Sequence, residues 1–560
     1  MAAVYPSPEL AAAMRRREES EIRARAARRV AAVLALVAVM AVYPFIYFGM
    51  YAGDAEIHLV YGESAAEGRF FEFNPGEKSS GVTSVGYMLL LGQVFRFVPI
   101  ENVPMAVKLL NIAAWYGVVA LTFLIGRKLI GDRWALAAAL VVGVMPGSVY
   151  NSTIGMENGL FALAVLGAIY AMMRVKWHAI HEETPFEGEM LVGALLALCV
   201  AIRPEGLPFA AVVFAYRLFL HRRTARQVST VVSKAIVPAL PLIAVTAALA
   251  WFHYSHTGEW IPGSAVSRVT LSATDAIQVG PFWFNLKFVV RILQYLPLTA
   301  FFLVGNRVVW KRSWWSGYRI EGLLIVNFWV FFFLYSTVLG SLHLARYITF
   351  LMPMMVLVAA VAARWKWNEL RLNGPRWLRA LRTPAFVLAC LFIAAVFTVE
   401  TVERLGLGAR DELWRAMRAP AERQAYSDAL LKGLDNPSTL PVSIAYQEVQ
   451  VRYWLDDRFV VRSLDGRTDS LLMKYEHNGN YDHAGYIKER GVQYVAELVN
   501  YNRDPAVWAL TDLGQWRLRP GQGIEQGGVA FLLLENGMFQ VLDRIPVPDD
   551  IYRFDLAPKD

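Results

Sequence analysis

The chain has 560 residues, 56% of them hydrophobic and only 18% charged, with a mean hydropathy of +0.36. Soluble globular proteins carry about a quarter charged residues, so an ordinary soluble enzyme is excluded. The net charge of +8 would point to nucleic acid in a soluble protein, but here Lys and Arg gather in loops between apolar runs, the pattern that orients a membrane protein; no nucleic-acid partner is expected.

Seven arginines, Arg15, Arg16, Arg17, Arg23, Arg25, Arg28 and Arg29, precede the first apolar run at 31–50. No small-residue cleavage site follows that run, so it reads as an uncleaved first helix after a cytoplasmic basic segment, 1–30. Further apolar runs recur to Val399. Each is near the length a helix needs to cross the hydrocarbon core, and a helix satisfies its own backbone hydrogen bonds there.

Positive charge sets the topology. With the N-terminus cytoplasmic, the first helix exits after Met50, and the next basic cluster, Arg127, Lys128 and Arg133, is cytoplasmic again. Only one crossing therefore lies between them. Of two apolar stretches, 84–98 is short and interrupted by Gln93 and Arg96, so it reads as a helix lying at the membrane surface, and 106–126 is the span. One large external loop is left at 51–105.

The remaining spans fall near 134–150, 159–175, 189–202, 207–220, 232–252, 286–306, 320–340, 347–363 and 384–400, each return to the cytoplasm marked by basic residues. Cys199 and Cys390 lie inside apolar runs and give no disulfide framework and no thiolate metal site. The transmembrane module is thus 31–400, with about eleven helices and an external C-terminus. The segment 401–560 is more polar. It has short alternating stretches at Val442–Tyr446 and Tyr494–Leu498, and Asn536-Gly537 interrupts the run Phe531–Leu542, a two-residue hairpin signal. The expected fold class is a polytopic α-helical membrane protein with a C-terminal extracytoplasmic α/β domain, in the cell membrane.

Chemistry gathers on the external face. Asp54 follows the first helix by four residues, with Glu56 and His58 beside it. An ionisable group at membrane level is a functional candidate, although a solvated helix end fits Asp54 equally well on residue type alone. Glu63 and Glu67 read as solvated helix faces. Lys78 follows the turn Asn74-Pro75-Gly76. Other external loops carry Glu157, the phrase Arg203-Pro204-Glu205-Gly206, Arg268, His343 and Arg346-Tyr347. Any one alone reads as an ordinary loop charge. Together they set carboxylates and arginines at one head-group level, which suits a lipid phosphate: arginine forks onto phosphate oxygens, and a carboxylate serves as a general base.

In this order the residues resemble the GT-C superfamily of polyprenyl-phosphate-sugar glycosyltransferases, and within it the group containing the mycobacterial terminal arabinofuranosyltransferase. The matching stretches are Asp54 to Ser84, Gly155 to Glu157, Arg203 to Gly206 in full, Gly258 to Arg268 loosely, and Arg346-Tyr347. The resemblance implies a sugar moved from a polyprenyl-phosphate donor to a glycan, lipid or protein acceptor at the outer face, with inversion. Asp54 is then the general base. Lys78, Arg203, Arg268 and Arg346 are the expected donor-phosphate ligands, and Glu56, His58, Glu157, Glu205, His343 and Tyr347 support the site or the acceptor. Gly53 stands where the group has the first acid of a pair, which leaves a divalent cation on Asp54 and His58 an open matter. Gly263 and Ser264 replace an Asn-Thr pair, and Val85-Gly86-Tyr87 replaces Pro-Leu-Trp.

Two other classes compete. A secondary transporter or flippase for a lipid-linked or anionic substrate places charges at mid-membrane and often shows inverted repeats, whereas these polar groups sit in loops on one face. A scaffolding subunit predicts that Asp54 is dispensable.

Overall fold

The computed structural model describes 37–177, 185–221, 228–265, 296–313, 319–337, 344–407, 412–433 and shorter stretches of 439–541, together with Val30 and Leu34. The hairpin turn Asn536-Gly537 and the site candidates Arg268 and His343 lie outside the described residues.

The apolar runs fold as helices. They are α1 (Val37–Tyr47), α4 (Val103–Ile130), α5 (Asp132–Gly143), α6 (Pro146–Thr153), α7 (Asn158–Arg174), α8 (Phe186–Ile202), α9 (Gly206–His221), α10 (Val228–Thr257), α11 (Leu296–Ser313), α12 (Arg319–Thr337), α14 (Met352–Asn373) and α15 (Arg376–Leu407). Among the described residues, four helices are long and apolar enough to cross a membrane: Ile100–Ile130, Ala235–Thr257, Thr349–Asn373 and Thr383–Gly406. The expected span near 134–150 is instead a broken pair, α5 and α6 meeting at 61°. The cause is local. Pro146 opens α6 at a position where its missing N–H costs nothing, but it cannot continue the ladder of α5. Within the bundle, α4 packs on α5 and α7, α8 on α10, and α11 on α14. One continuous apolar core joins them, centred on residues such as Trp115, Phe161, Phe328 and Leu357.

The first loop carries its own structure. Helix α2 (Gly53–Ala66) leads to a short hairpin, β1 (Glu72–Asn74) with β2 (Glu77–Lys78), then to α3 (Val85–Phe97). The stretch expected at the membrane surface is this α3. It packs along α2 and buries Tyr87, Met88 and Leu91 while Phe97 stays exposed.

Beyond α15, which runs through residue 400, come α16 (Glu412–Gly433), β3 (Val442–Tyr446), β4 (Phe459–Ser463), β5 (Glu476–His477), β6 (Asn480–Tyr481), β7 (Tyr494–Leu498), β8 (Val529–Glu535) and β9 (Met538–Val541). Five of these strands form a mixed sheet in the order β4-β3-β7-β8-β9. Strands β3, β4 and β7 are parallel, and β8 pairs antiparallel with both β7 and β9. The β8–β9 pair brackets the Asn536-Gly537 signal, with Glu535 opposite Met538.

The C-terminal region does not stand apart. A second core cluster joins Tyr51, Ala55 and Leu59 of the first loop to Leu413 and Ala416 of α16 and to Val442 and Phe459 of the sheet. Polar ties follow the same seam. The Asn74 side chain donates to the Val461 carbonyl and accepts from the Val461 N–H, both at 2.9 Å, and Arg462 forks onto Glu77.

Candidate active site

The site is built around the start of α2. Ala52 is extended and Gly53 opens the helix, with Asp54 and Glu56 in the first turn, where the helix dipole favours negative charge. The lead-in is fixed from the bundle. The Ala52 N–H donates to the Ile154 carbonyl at 2.9 Å. Gly155 then adopts φ +88° with its Cα face against the Tyr51 ring, where a Cβ would lie 2.4 Å from ring atoms. Only glycine combines that backbone and that closeness. The Gly155 N–H donates to Asn111 Oδ1 at 3.0 Å, and its carbonyl accepts from the Tyr87 hydroxyl at 2.8 Å.

Residues four apart share a helix face, so Asp54 and His58 point the same way. Arg346, on the short helix α13 (Leu344–Tyr347), donates from Nη1 to Asp54 Oδ2 at 2.5 Å. The pair is partly open, with side-chain exposures of 14% and 26%. The same guanidinium lies 5.3 Å from the centroid of the Tyr347 ring. Arg203 also lies against this ring, 5.1 Å from the Tyr347 centroid. Arg203 is 4% exposed. It donates to both oxygens of Glu205 at 3.2 and 2.8 Å and to Asn158 Oδ1 at 2.6 Å, with Glu157 Oε1 at 3.6 Å. The Tyr335 hydroxyl also donates to Glu205, at 3.4 Å. Glu157 in turn faces His58 Nε2 at 3.3 Å, which returns the network to α2.

A chain of side chains results, Asp54, Arg346, Tyr347, Arg203, Glu157 and His58, and helix α2 joins its two ends into a ring. Its charge balance is three carboxylates, counting Glu205, against two guanidiniums. Burial pushes the Glu157 carboxyl up, but Arg203 and His58 outweigh it and hold the group well below the usual carboxylate range. Arg203 is saturated by partners and braces the ring. Arg346, in contrast, has Asp54 as its charge partner at an opening.

Five of the sequence candidates thus converge with Asp54: His58, Glu157, Arg203, Arg346 and Tyr347, and Glu205 joins them through Arg203. Two do not. The Lys78 ammonium is held on the hairpin by Glu72 at 2.9 Å and the Phe70 carbonyl at 3.1 Å. Glu56 turns to the C-terminal side, where its carboxylate accepts the Trp454 indole N–H at 3.1 Å. Glu63, expected in solvent, is instead forked by Arg423. Asn158, Asn111 and Tyr335 join the site without having been singled out. Asn158 directly follows the stretch Gly155 to Glu157, while Asn111 within α4 and Tyr335 in the last turn of α12 carry no local signal. Among the described residues no three His, Cys, Asp or Glu side chains converge as metal ligands. Asp54 is paired with Arg346, and His58 with Glu157.

With this geometry in hand, the chain can be set against known proteins. No family model matches it, and no curated protein matches it. Among solved structures it is similar to the Archaeoglobus fulgidus oligosaccharyltransferase in complex with zinc and sulfate, at 12% identity and a TM-score of 0.53, over 82% of this chain and 68% of that one. It also aligns with ArnT from Cupriavidus metallidurans bound to undecaprenyl phosphate, at 13% identity and a TM-score of 0.49, over 91% and 97% of the two chains. The likeness to the oligosaccharyltransferase is one of fold.

Proposed function

We propose that this chain is a membrane glycosyltransferase that moves a sugar from a polyprenyl-phosphate donor to a cell-envelope glycan on the outer face, with inversion. The observation that carries the reading is the Asp54–Arg346 pair at the open edge of a buried ionic ring. It sets a carboxylate and a phosphate-binding fork at one point, and it does so on a fold of the GT-C type. In this reading the helices make about eleven spans, the N-terminus is cytoplasmic, and the first loop and C-terminal α/β domain lie outside.

Asp54 takes the proton of the acceptor hydroxyl as its oxygen attacks the anomeric carbon. The bond from that carbon to the phosphate oxygen breaks, and the lipid phosphate leaves with the electron pair. Arg346 stabilises the charge that develops on it. The charge balance makes this an exchange. An arriving phosphate draws Arg346 from Asp54, and the released carboxylate becomes a stronger base. Arg268 is the further phosphate ligand in this scheme, with His343 three residues before Arg346 in sequence. Arabinofuranose is the first donor sugar to test, followed by other pentoses and hexoses.

The experiment is transfer by purified full-length protein in lipid nanodiscs. Radiolabelled decaprenyl-phosphate-arabinose and a panel of polyprenyl-phosphate hexoses serve as donors, with extracted envelope glycan as acceptor. Label should reach the glycan from at least one donor. No transfer from any donor, together with uptake of the lipid by proteoliposomes, would favour a transporter.

A further inference from the structure

We infer that the C-terminal region is a positioning device for Asp54, and that Glu412 and Arg423 of α16 are the positioning residues that fix where α2 starts and how it is rotated. The inference rests on the reading of Asp54 as the base. It begins from a problem in α2 itself. The buried residues of this helix, among them Ala55, Leu59, Val60, Tyr61 and Ser64, run around it rather than along one stripe. Apolar packing alone therefore selects no single rotation, since a helix is oriented by an apolar stripe on one side.

Polar grips supply the missing choice. Successive residues turn by about 100° along an α-helix. Glu56 and Glu63, seven apart, fall on one face, and Asp54 with His58 falls on the opposite one. The Glu56 and Glu63 face belongs to the C-terminal region: Trp454 donates to Glu56 at 3.1 Å, and Arg423 forks onto both oxygens of Glu63 at 2.7 and 2.6 Å. Both members of the Arg423–Glu63 pair are largely buried, at 19% and 22% exposure, and a two-point fork fixes direction as well as distance. The start of the helix is held too. Glu412 Oε2 accepts the Tyr51 N–H at 3.1 Å, and the Leu413 N–H donates to the Gly49 carbonyl at 2.9 Å. From the bundle side, the buried Lys108 ammonium donates to the carbonyls of Tyr47 and Met50, each at 2.8 Å. Rotating α2 by one residue would break the Glu56 and Glu63 contacts and carry Asp54 away from Arg346.

The test uses full-length protein in nanodiscs with Arg423→Lys, Glu412→Ala and the charge exchange Glu63→Arg with Arg423→Glu. Lysine keeps the charge but loses the fork, so it probes orientation with the fold retained. With decaprenyl-phosphate-arabinose as donor, Arg423→Lys and Glu412→Ala should lower kcat by about ten- to a hundredfold, the range a misplacement of about 1 Å produces. The donor KM should stay within about twofold of wild type, and the charge exchange should recover most of the rate. A folded variant with unchanged kcat, or a loss confined to KM, overturns the inference. Hydrogen–deuterium exchange separates this from a failure of the functional reading. If wild type transfers nothing, the assignment of Asp54 falls. The grip then still predicts at least tenfold faster exchange at residues 53–58 in Arg423→Lys, with α7 and α14 unaffected, and unchanged exchange refutes it.

Discussion

Replacing Arg203 with Ala tests whether the ionic ring is a brace. The guanidinium is almost fully enclosed and has two carboxylates and an amide oxygen around it. Its removal leaves Glu157 and Glu205 buried without their shared cation. Breaking a buried pair by deleting one partner costs about 3–5 kcal/mol, and leaving Asn158 Oδ1 unsatisfied adds about 1 kcal/mol or more. The sum is a large part of the total stability of a typical domain. Lys78→Ala is the internal control. Its ammonium is 41% exposed beside Glu72, and such a pair is worth about 0–1 kcal/mol after solvent screening. Denaturant unfolding of both variants in one detergent, followed by tryptophan fluorescence, makes the comparison. A loss at Arg203 no larger than that at Lys78 would refute the reasoning, because the ring would then not be holding α7, α8 and α13 together.

Three further outcomes follow from the geometry. Gly155→Ala must place a Cβ where the Tyr51 ring lies, at φ +88°, and should destabilise by more than about 1 kcal/mol while lowering transfer; an unchanged melting temperature would contradict this. Trp454→Phe keeps an aromatic ring but removes the indole N–H that donates to the buried Glu56 carboxylate, a cost of about 1–3 kcal/mol that thermal unfolding can read. The third concerns acid. Burial pushes the Glu72 carboxyl up, but Lys78 and the Gly76 N–H outweigh it, so the group sits below its ordinary value. A depressed carboxylate contributes stability that is complete above the unfolded value, about 4.3, and is lost as pH falls through the folded one. The 72–78 hairpin should therefore keep its full protease resistance at about pH 5 and be cleaved modestly faster as the pH falls below the unfolded value; equal cleavage above and below that value would count against the pairing.

Much of this was legible in the sequence, for reasons that differ by element. The membrane helices announce themselves by apolar length, and α4, α7, α12 and α14 fall where the runs lie. The break between α5 and α6 was not read, although Pro146 was its visible cause. The convergence of Glu157, Arg203, Arg346 and Asp54 follows from their common loop face. The separate fates of Glu56 and His58 do not: both flank Asp54, and only helical rotation sends one to Trp454 and the other to Glu157. Lys78 looked like a phosphate ligand because its partner Glu72 lies across a hairpin turn, a pairing set by strand register. The grip of α16 on the first loop joins residues about 360 apart in sequence, and nothing local encodes it.

The central claim is that Asp54 is the base, and Asp54→Asn tests it most directly. Asparagine keeps the size and a hydrogen-bonding oxygen for Arg346 but cannot take a proton. Rates of sugar transfer at saturating donor and acceptor, with affinity for undecaprenyl phosphate measured alongside, should show a fall of about a hundredfold or more and lipid binding retained. Transfer within about twofold of wild type would contradict the account.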